Sequence, residues 1–392
     1  MAEDREFDMI IYGATGFTGR LVAEYMASAH PARAGKWAMA GRSAEKLSAV
    51  RDEMGLPADT PFVVANADEP ASLQAMAQRA KVICTTVGPY TLYGEPLVAA
   101  CVEAGTDYVD LSGEPLWMRE MIEKYAARAK ETGARIVHSC GFDSIPFDLG
   151  VAFAQEAAKD QFGAYAPRVR GRVRKMEGTF SGGTAASGRA TMAKVQQNPA
   201  LLAHLTSPFG LTPGFQGAEQ PQMSKPLEDP DGTWAAPFFM AVINTKNVHR
   251  SNVLRGLPYG EGFQYDEMIS TAPGDQGKAA AEAIASVDPM GGSGDGGPKP
   301  GEGPSKAERE AGHYDVLFVA EMADGRSVKA GVTGDKDPGY GSTSKMIAEA
   351  ALYLADGKTP VDGGVYTPAA AFGTGLVGPL VERAGMTFEV ER

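Results

Sequence analysis

Through the first 150 residues, short apolar runs alternate with longer segments whose apolar positions recur every three or four places. The runs 7–12, 37–40, 62–65, 82–87, 107–111 and 135–138 read as strands. The segments 17–29, 44–54, 70–79, 96–104 and 115–131 read as helices; in the first, Leu21, Val22, Tyr25 and Met26 share one face. Strand and helix in regular alternation predict a parallel, doubly wound α/β sheet, because crossover helices cover both sheet faces. Beyond residue 150 the texture changes. Arg168, Arg170, Arg172 and Arg174 alternate with small or apolar residues, so 168–180 reads as a strand with one solvated face. Gly182 and Gly183 precede a helix expected near Ala185, and the pair reads as a structural turn more readily than as an anion site. Residues 206–233 read as a long ordered loop, 238–243 as a buried strand or a helix start, and 288–312 as a mobile surface loop. Segments 313–321 and 327–333 pair as strands around an Asp324-Gly325 turn, and 344–355 reads as a helix. A chain of 392 residues exceeds one ordinary core and fits two domains.

The chemistry starts at the first strand-to-helix junction. Gly13, Gly16 and Gly19 follow the apolar run Met9 to Tyr12 and open the first helix. In a dinucleotide site, one such glycine permits a tight turn, one lets the backbone approach the pyrophosphate, and one lets helix and strand pack closely. Thr15, Phe17 and Thr18 complete the loop, whose helix N-terminus presents amides and a partial positive charge to phosphate. The fold expected is therefore a Rossmann-type sheet. Gly41-Arg42-Ser43 ends the second strand, where an NAD enzyme would place an acidic residue on the ribose hydroxyls. Arg42 suits the 2′-phosphate of NADP by charge and by its bidentate fork, with Ser43 and Lys46 beside it, so NADP is expected over NAD. Ser43 also suits a helix N-cap. The fourth strand ends in Val87-Gly88-Pro89-Tyr90, near the nicotinamide half of such a site.

Charge and cysteines narrow the class. The formal net charge of −12 argues against a nucleic-acid partner and against an electrostatic grip on anionic lipid. Cys84, Cys101 and Cys140 form no Cys-x-x-Cys pair, so buried reduced thiols are expected, with no metal site. Glu3, Asp4 and Glu6 do not have a signal-peptide shape, and no apolar run approaches a membrane span. A cytoplasmic location is expected, with peripheral contact to a lipid surface as the open alternative.

These motifs together carry a resemblance. Gly13-Ala14-Thr15-Gly16-Phe17-Thr18-Gly19, Ala40-Gly41-Arg42, Val87-Gly88-Pro89-Tyr90 through Val98, Asp107 through Glu114 and Cys140 through Pro146 follow one another in order. Gly303-Pro304-Ser305, Asp337-Pro338-Gly339-Tyr340 and Gly363 through Ala369 come later. The chain resembles the saccharopine dehydrogenase-like oxidoreductases, and within them the bacterial branch that includes trans-acting enoyl reductases of lipid and polyketide biosynthesis. The resemblance covers nearly the whole chain. It implies an NADP-binding domain over 1–150, a second α/β (α+β) domain over 151–335, and a C-terminal segment, 336–392, that returns to the first. It also implies an oxidoreductase that takes hydride from NADPH but leaves the substrate open; the Phe, Met and Leu content of residues 209–257 favours an apolar or thioester-linked small molecule, and a homodimer is the guess for enzymes of this build.

For an enoyl thioester, hydride goes to the β carbon and a proton to the α carbon. Tyr90, Asp110 and Asp143 are the candidate catalytic residues, each at or just beyond a strand end. Each has a structural alternative: Tyr90 in loop packing, Asp110 in holding a loop, Asp143 in capping the helix that Pro146 helps start. An imine or amino-acid dehydrogenase would need cationic groups for several carboxylates, which the alternating arginines supply only if they are not simply solvated. A non-catalytic NADP-binding regulator or lipid-surface scaffold is the rival from another class. No tyrosine has a lysine four residues on, which excludes the short-chain dehydrogenase dyad, and Gly19-Arg20-Leu21 excludes a phosphate-loop NTPase.

Overall fold

The predicted alternation closes into one parallel sheet in the computed structural model, which describes residues 5–178, 182–287 and 303–392. Strands β1 (Phe7–Tyr12), β2 (Trp37–Gly41), β3 (Phe62–Val64), β4 (Ala80–Thr85), β5 (Asp107–Val109) and β6 (Arg135–Val137) are joined by a late strand, β13 (Gly364–Tyr366). Their order is β13-β6-β5-β4-β1-β2-β3, and every pair is parallel. Helices α1 (Phe17–Ala29), α2 (Ala44–Glu53), α3 (Pro70–Ala77), α4 (Tyr90–Tyr93), α5 (Glu95–Ala104) and α6 (Pro115–Thr132) make the connections. The apolar run Met9–Tyr12 of β1 follows from burial on both faces. Met9 and Ile11 pack into one core cluster with Val22 and Met26, while Ile10 and Tyr12 pack into another with Leu73.

Helix α7 (Ile145–Phe162) leads into a second, mixed sheet. Its strands are β7 (Arg168–Glu177), β8 (Leu227–Glu228), β9 (Thr233–Pro237), β10 (Gln264–Pro273), β11 (His313–Glu321), β12 (Ser327–Gly334) and β14 (Met386–Glu391). The order is β14-β12-β11-β7-β10-β9-β8; β7 and β10 are parallel and the other neighbours antiparallel. Helix α7 lies against this sheet at Gly150, where a Cβ would come within 2.3 Å of the Phe318 ring.

Several expectations change at this level. β7 is the central strand, so the middle of its arginine face is not solvated: Arg170 and Arg172 are buried, while Arg174 is exposed. Arg172 pairs with Asp229 and Asp266, and Arg170 with Asp229 and Glu321. Buried guanidinium groups persist only with such partners. Residues 241–254 take the helix-start option. Of the presumed surface loop, 288–302 lies outside the described residues, and Lys306–Ala311 is a helix. Ser305 and Glu308 form its capping box, a signal the surrounding Gly and Pro obscured. The helix expected near Ala185 starts at Gly182, and the reading of the Ser181–Thr184 turn falls on side chains outside the described residues. At the C-terminal end, β13 adds to the first sheet and β14 to the second. Among the described residues no helix is long and apolar enough to cross a membrane.

Candidate active site

The glycine turn has the form a dinucleotide requires. Gly13 has φ +92°, and a Cβ there would lie 2.7 Å from Val87 Cγ2. A Cβ on Gly19 would lie 2.2 Å from the Gly13 carbonyl oxygen, so only glycine lets α1 approach β1 this closely. Gly16 precedes α1, whose first turn holds no acidic residue and no side-chain cap. The amides of Phe17, Thr18 and Gly19 thus begin an uncapped helix N-terminus, which suits a diphosphate. At the end of β2, a Cβ on Gly41 would meet Thr15 Cγ2 at 3.9 Å, which places this turn beside the glycine loop. Arg42 is exposed there, and Ser43 caps α2 by accepting the Lys46 amide at 3.2 Å. NADP therefore fits: Gly13 through Gly19 would hold the diphosphate, Arg42, Ser43 and Lys46 the 2′-phosphate, and Val87, Gly88 and Pro89 would border the nicotinamide.

Three loops leave the C-terminal ends of β4, β5 and β6 and meet beside that turn. Two carboxylates knit them together. Asp110, fully buried, accepts from the Ser112 amide (2.9 Å), the Ser139 amide (3.0 Å) and the Tyr108 hydroxyl (3.0 Å), and lies 2.7 Å from His138 Nδ1. Ser139 is held at φ +62°, a left-handed conformation that costs a non-glycine residue energy and that the Asp110 contact secures. Glu114, equally buried, accepts the Tyr90 and Thr91 amides at 2.8 Å each and the Ser187 hydroxyl at 2.7 Å. It ties the β4 loop to the helix Gly182–Gln197. In the sequence Glu114 stands only as the last residue of the Asp107–Glu114 motif, and no spacing announces this clamp.

The three candidate catalytic residues separate in this setting. The Tyr90 hydroxyl is buried, donates to the Thr85 carbonyl (3.2 Å) and accepts the Leu111 amide (3.0 Å). Burial pushes its pKa well above the ordinary phenol value, and the nearby Asp110 charge adds to that. The expectation of proton transfer by Tyr90 or Asp110 thus meets two groups already engaged in holding backbone. Asp143 differs. It is half-buried and stands in the loop after β6, and a Cβ on Gly113 would lie 2.6 Å from its Oδ2. Burial pushes its carboxyl up to about 7, with Asp110 contributing in the same direction.

Its neighbour Ser144 anchors the loop to the second sheet. The Ser144 hydroxyl donates to Asn244 Oδ1 (2.7 Å) and accepts from Asn247 Nδ2 (2.6 Å), both on the helix Ala241–Leu254. Asn244 continues to Glu267 (2.7 Å), which also accepts the Tyr265 hydroxyl (2.7 Å). Sequence reasoning missed this polar, fully buried helix face. Asn244 and Asn247 three residues apart were its signal, but asparagines on a helix ordinarily mark the exposed side. The three cysteines are buried and free, and among the described residues no group of three His, Cys, Asp or Glu is placed to hold a metal.

The chain is similar to known proteins. Residues 9–137 match the saccharopine dehydrogenase NADP binding domain. A putative trans-acting enoyl reductase of Mycobacterium tuberculosis is 41% identical over 100% of this chain and 99% of its own. The chain belongs to this family of saccharopine dehydrogenase-like oxidoreductases. The trans-acting enoyl reductase of Mycobacterium ulcerans is 38% identical over 96% of both chains. The structure of saccharopine dehydrogenase (L-Glu forming) from Saccharomyces cerevisiae superposes with a TM-score of 0.54 at 11% identity, over 98% of this chain and 99% of the other, a likeness of fold. The protein is accordingly an NAD(P)H-dependent oxidoreductase with an NADP-binding domain, and the non-catalytic alternative is set aside.

Proposed function

We propose that this oxidoreductase reduces the C=C bond of an enoyl thioester of lipid or polyketide type, with Asp143 as the proton donor. NADPH, when bound, supplies hydride to the β carbon. The loops after β4, β5 and β6 position the acceptor, and the protonated Asp143 carboxyl gives its proton to the α carbon, which completes the saturated thioester. The observation that carries the assignment is a half-buried carboxyl, raised to about 7, standing beside Gly113 where these loops meet. The names of the two relatives support the enoyl class. The arginines argue against an amino-acid substrate with several carboxylates. Arg168, Arg170, Arg172 and Arg174 are each paired with acidic residues of the chain itself.

The test is a panel of acceptors. Purified protein with NADPH is offered a 2-enoyl thioester, a ketone and an imine, and NADPH oxidation is followed by absorbance. The enoyl thioester is expected to be reduced and Asp143→Asn to slow that reaction. Turnover of the imine alone would exclude the enoyl reading.

A further inference from the structure

The ring of Phe17, the first residue of α1, is enclosed by residues from the second half of the chain. Tyr340 meets it edge-on with centroids 4.7 Å apart, and a Cβ on Gly303 would lie 2.5 Å from it. The Arg309 guanidinium carbon stands 5.4 Å from its centroid. The segment that supplies these groups is braced: Asp337 accepts the Tyr340 amide at 2.9 Å and the Gly341 amide at 2.8 Å, and its own amide donates to the Arg309 carbonyl at 3.0 Å. Phe17 opens the uncapped N-terminus of α1, so a group packed on its ring sits within a side chain's reach of the amides that would meet a diphosphate.

Arg309 is half-buried, and its guanidinium donates to the Pro304 carbonyl at 2.6 Å. Among the described residues no carboxylate lies within ion-pair distance of it, and the Asp337 carboxylate is the acidic group near enough to feel its charge. A side-chain cation that is placed this way matches a dianionic diphosphate by charge.

We propose that Arg309 makes a cationic contact with the diphosphate bridge of bound NADP, so that the Gly303–Arg309 and Asp337–Tyr340 segments clasp the glycine turn. The contact rests on the NADP cofactor and is independent of which acceptor is reduced. It is distinct from the role of Arg42, which bears on the 2′-phosphate.

The test is binding in the absence of any acceptor. The full chain and its Arg309→Gln and Arg309→Lys variants are titrated with NADPH, NADH and 2′-AMP by fluorescence and calorimetry. NADPH and NADH share the diphosphate bridge, and 2′-AMP lacks it. The contact predicts that Arg309→Gln weakens NADPH and NADH alike by about tenfold, as loss of one charge-assisted hydrogen bond would. It also predicts an unchanged NADPH:NADH ratio, unchanged 2′-AMP affinity and a steeper loss at low salt. Arg309→Lys is expected to retain most of the affinity. Unchanged NADPH affinity in Arg309→Gln would overturn the proposal. So would an equal loss in Arg309→Lys, or a matching loss for 2′-AMP, since both would mark Arg309 as packing for Phe17. Failure of the enoyl reading would appear separately, as the absence of thioester reduction by a protein that binds NADPH.

Discussion

Asp143 carries the chemical claim, and its raised carboxyl sets the pH behaviour. Below about 7 the group is protonated and can act as an acid; above that value the donor form is lost. Turnover on an enoyl thioester is therefore expected to fall on the alkaline side with an apparent pKa near 7. Asp143→Asn should lower kcat by about 10²- to 10⁴-fold and remove that limb from the profile. A pH–rate series on both proteins checks this, and an unaltered limb in the variant would place the donor elsewhere. Arg42 tests cofactor choice in the same way. Arg42→Ala is expected to weaken NADPH by about tenfold and leave NADH nearly unchanged, measured by fluorescence titration. Both residues were legible as types at strand ends, because a parallel sheet gathers its site there. What the sequence did not carry was occupancy. Tyr90 looks free in one dimension, yet its hydroxyl is held between the Thr85 carbonyl and the Leu111 amide, 21 residues away from the latter.

At the scale of elements, glycines report where helix and sheet touch. Gly19 fixes α1 against β1, and its part in the turn followed from the glycine spacing set between an apolar run and an amphipathic segment. Gly150 fixes α7 against Phe318 of β11, and no spacing announced it. Gly150→Ala is expected to destabilise the protein by about 1–3 kcal/mol, since the ring and the helix must separate to admit the methyl group. Denaturant unfolding measures this, and an unchanged midpoint would show that the contact yields freely. The alternation of strand and helix in the first sheet was legible because both of its faces are buried and its strands are mostly apolar. The second sheet was less so. Arg168 through Arg174 carry the alternation of a half-solvated strand, but their acidic partners Asp229, Asp266, Asp315, Glu321 and Glu391 lie 57 to 217 residues away in sequence. Removing one member is correspondingly severe. Arg172→Ala leaves Asp229 and Asp266 buried with less compensation, and a loss of about 3–5 kcal/mol is expected by the same unfolding measurement.

Across the whole molecule, the second sheet reaches the site through a buried polar chain from Tyr265 and Glu267 to Asn244, Asn247 and Ser144, next to Asp143. Burial pushes the Glu267 carboxyl up to about 8, from 4.5. A folded-state pKa above the unfolded one means that the native protein holds this proton longer. The contribution of Glu267 to stability is then greatest below about 4.5 and declines as pH rises toward about 8. Glu267→Gln should gain on the parent protein steadily between pH 5 and 8 in paired unfolding curves. Parallel curves would mean that Glu267 keeps an ordinary pKa. The central claim, hydride delivery to the β carbon of an enoyl thioester with the proton supplied by the protein, has a more direct test. NADPH deuterated at the transferred position is mixed with the enzyme and a 2-enoyl thioester in ordinary water, and the product is analysed by NMR and mass spectrometry. The account predicts a saturated thioester with deuterium at the β carbon and a proton at the α carbon. Deuterium at the carbonyl carbon, or an untouched double bond while NADPH is oxidised by an imine, would contradict it.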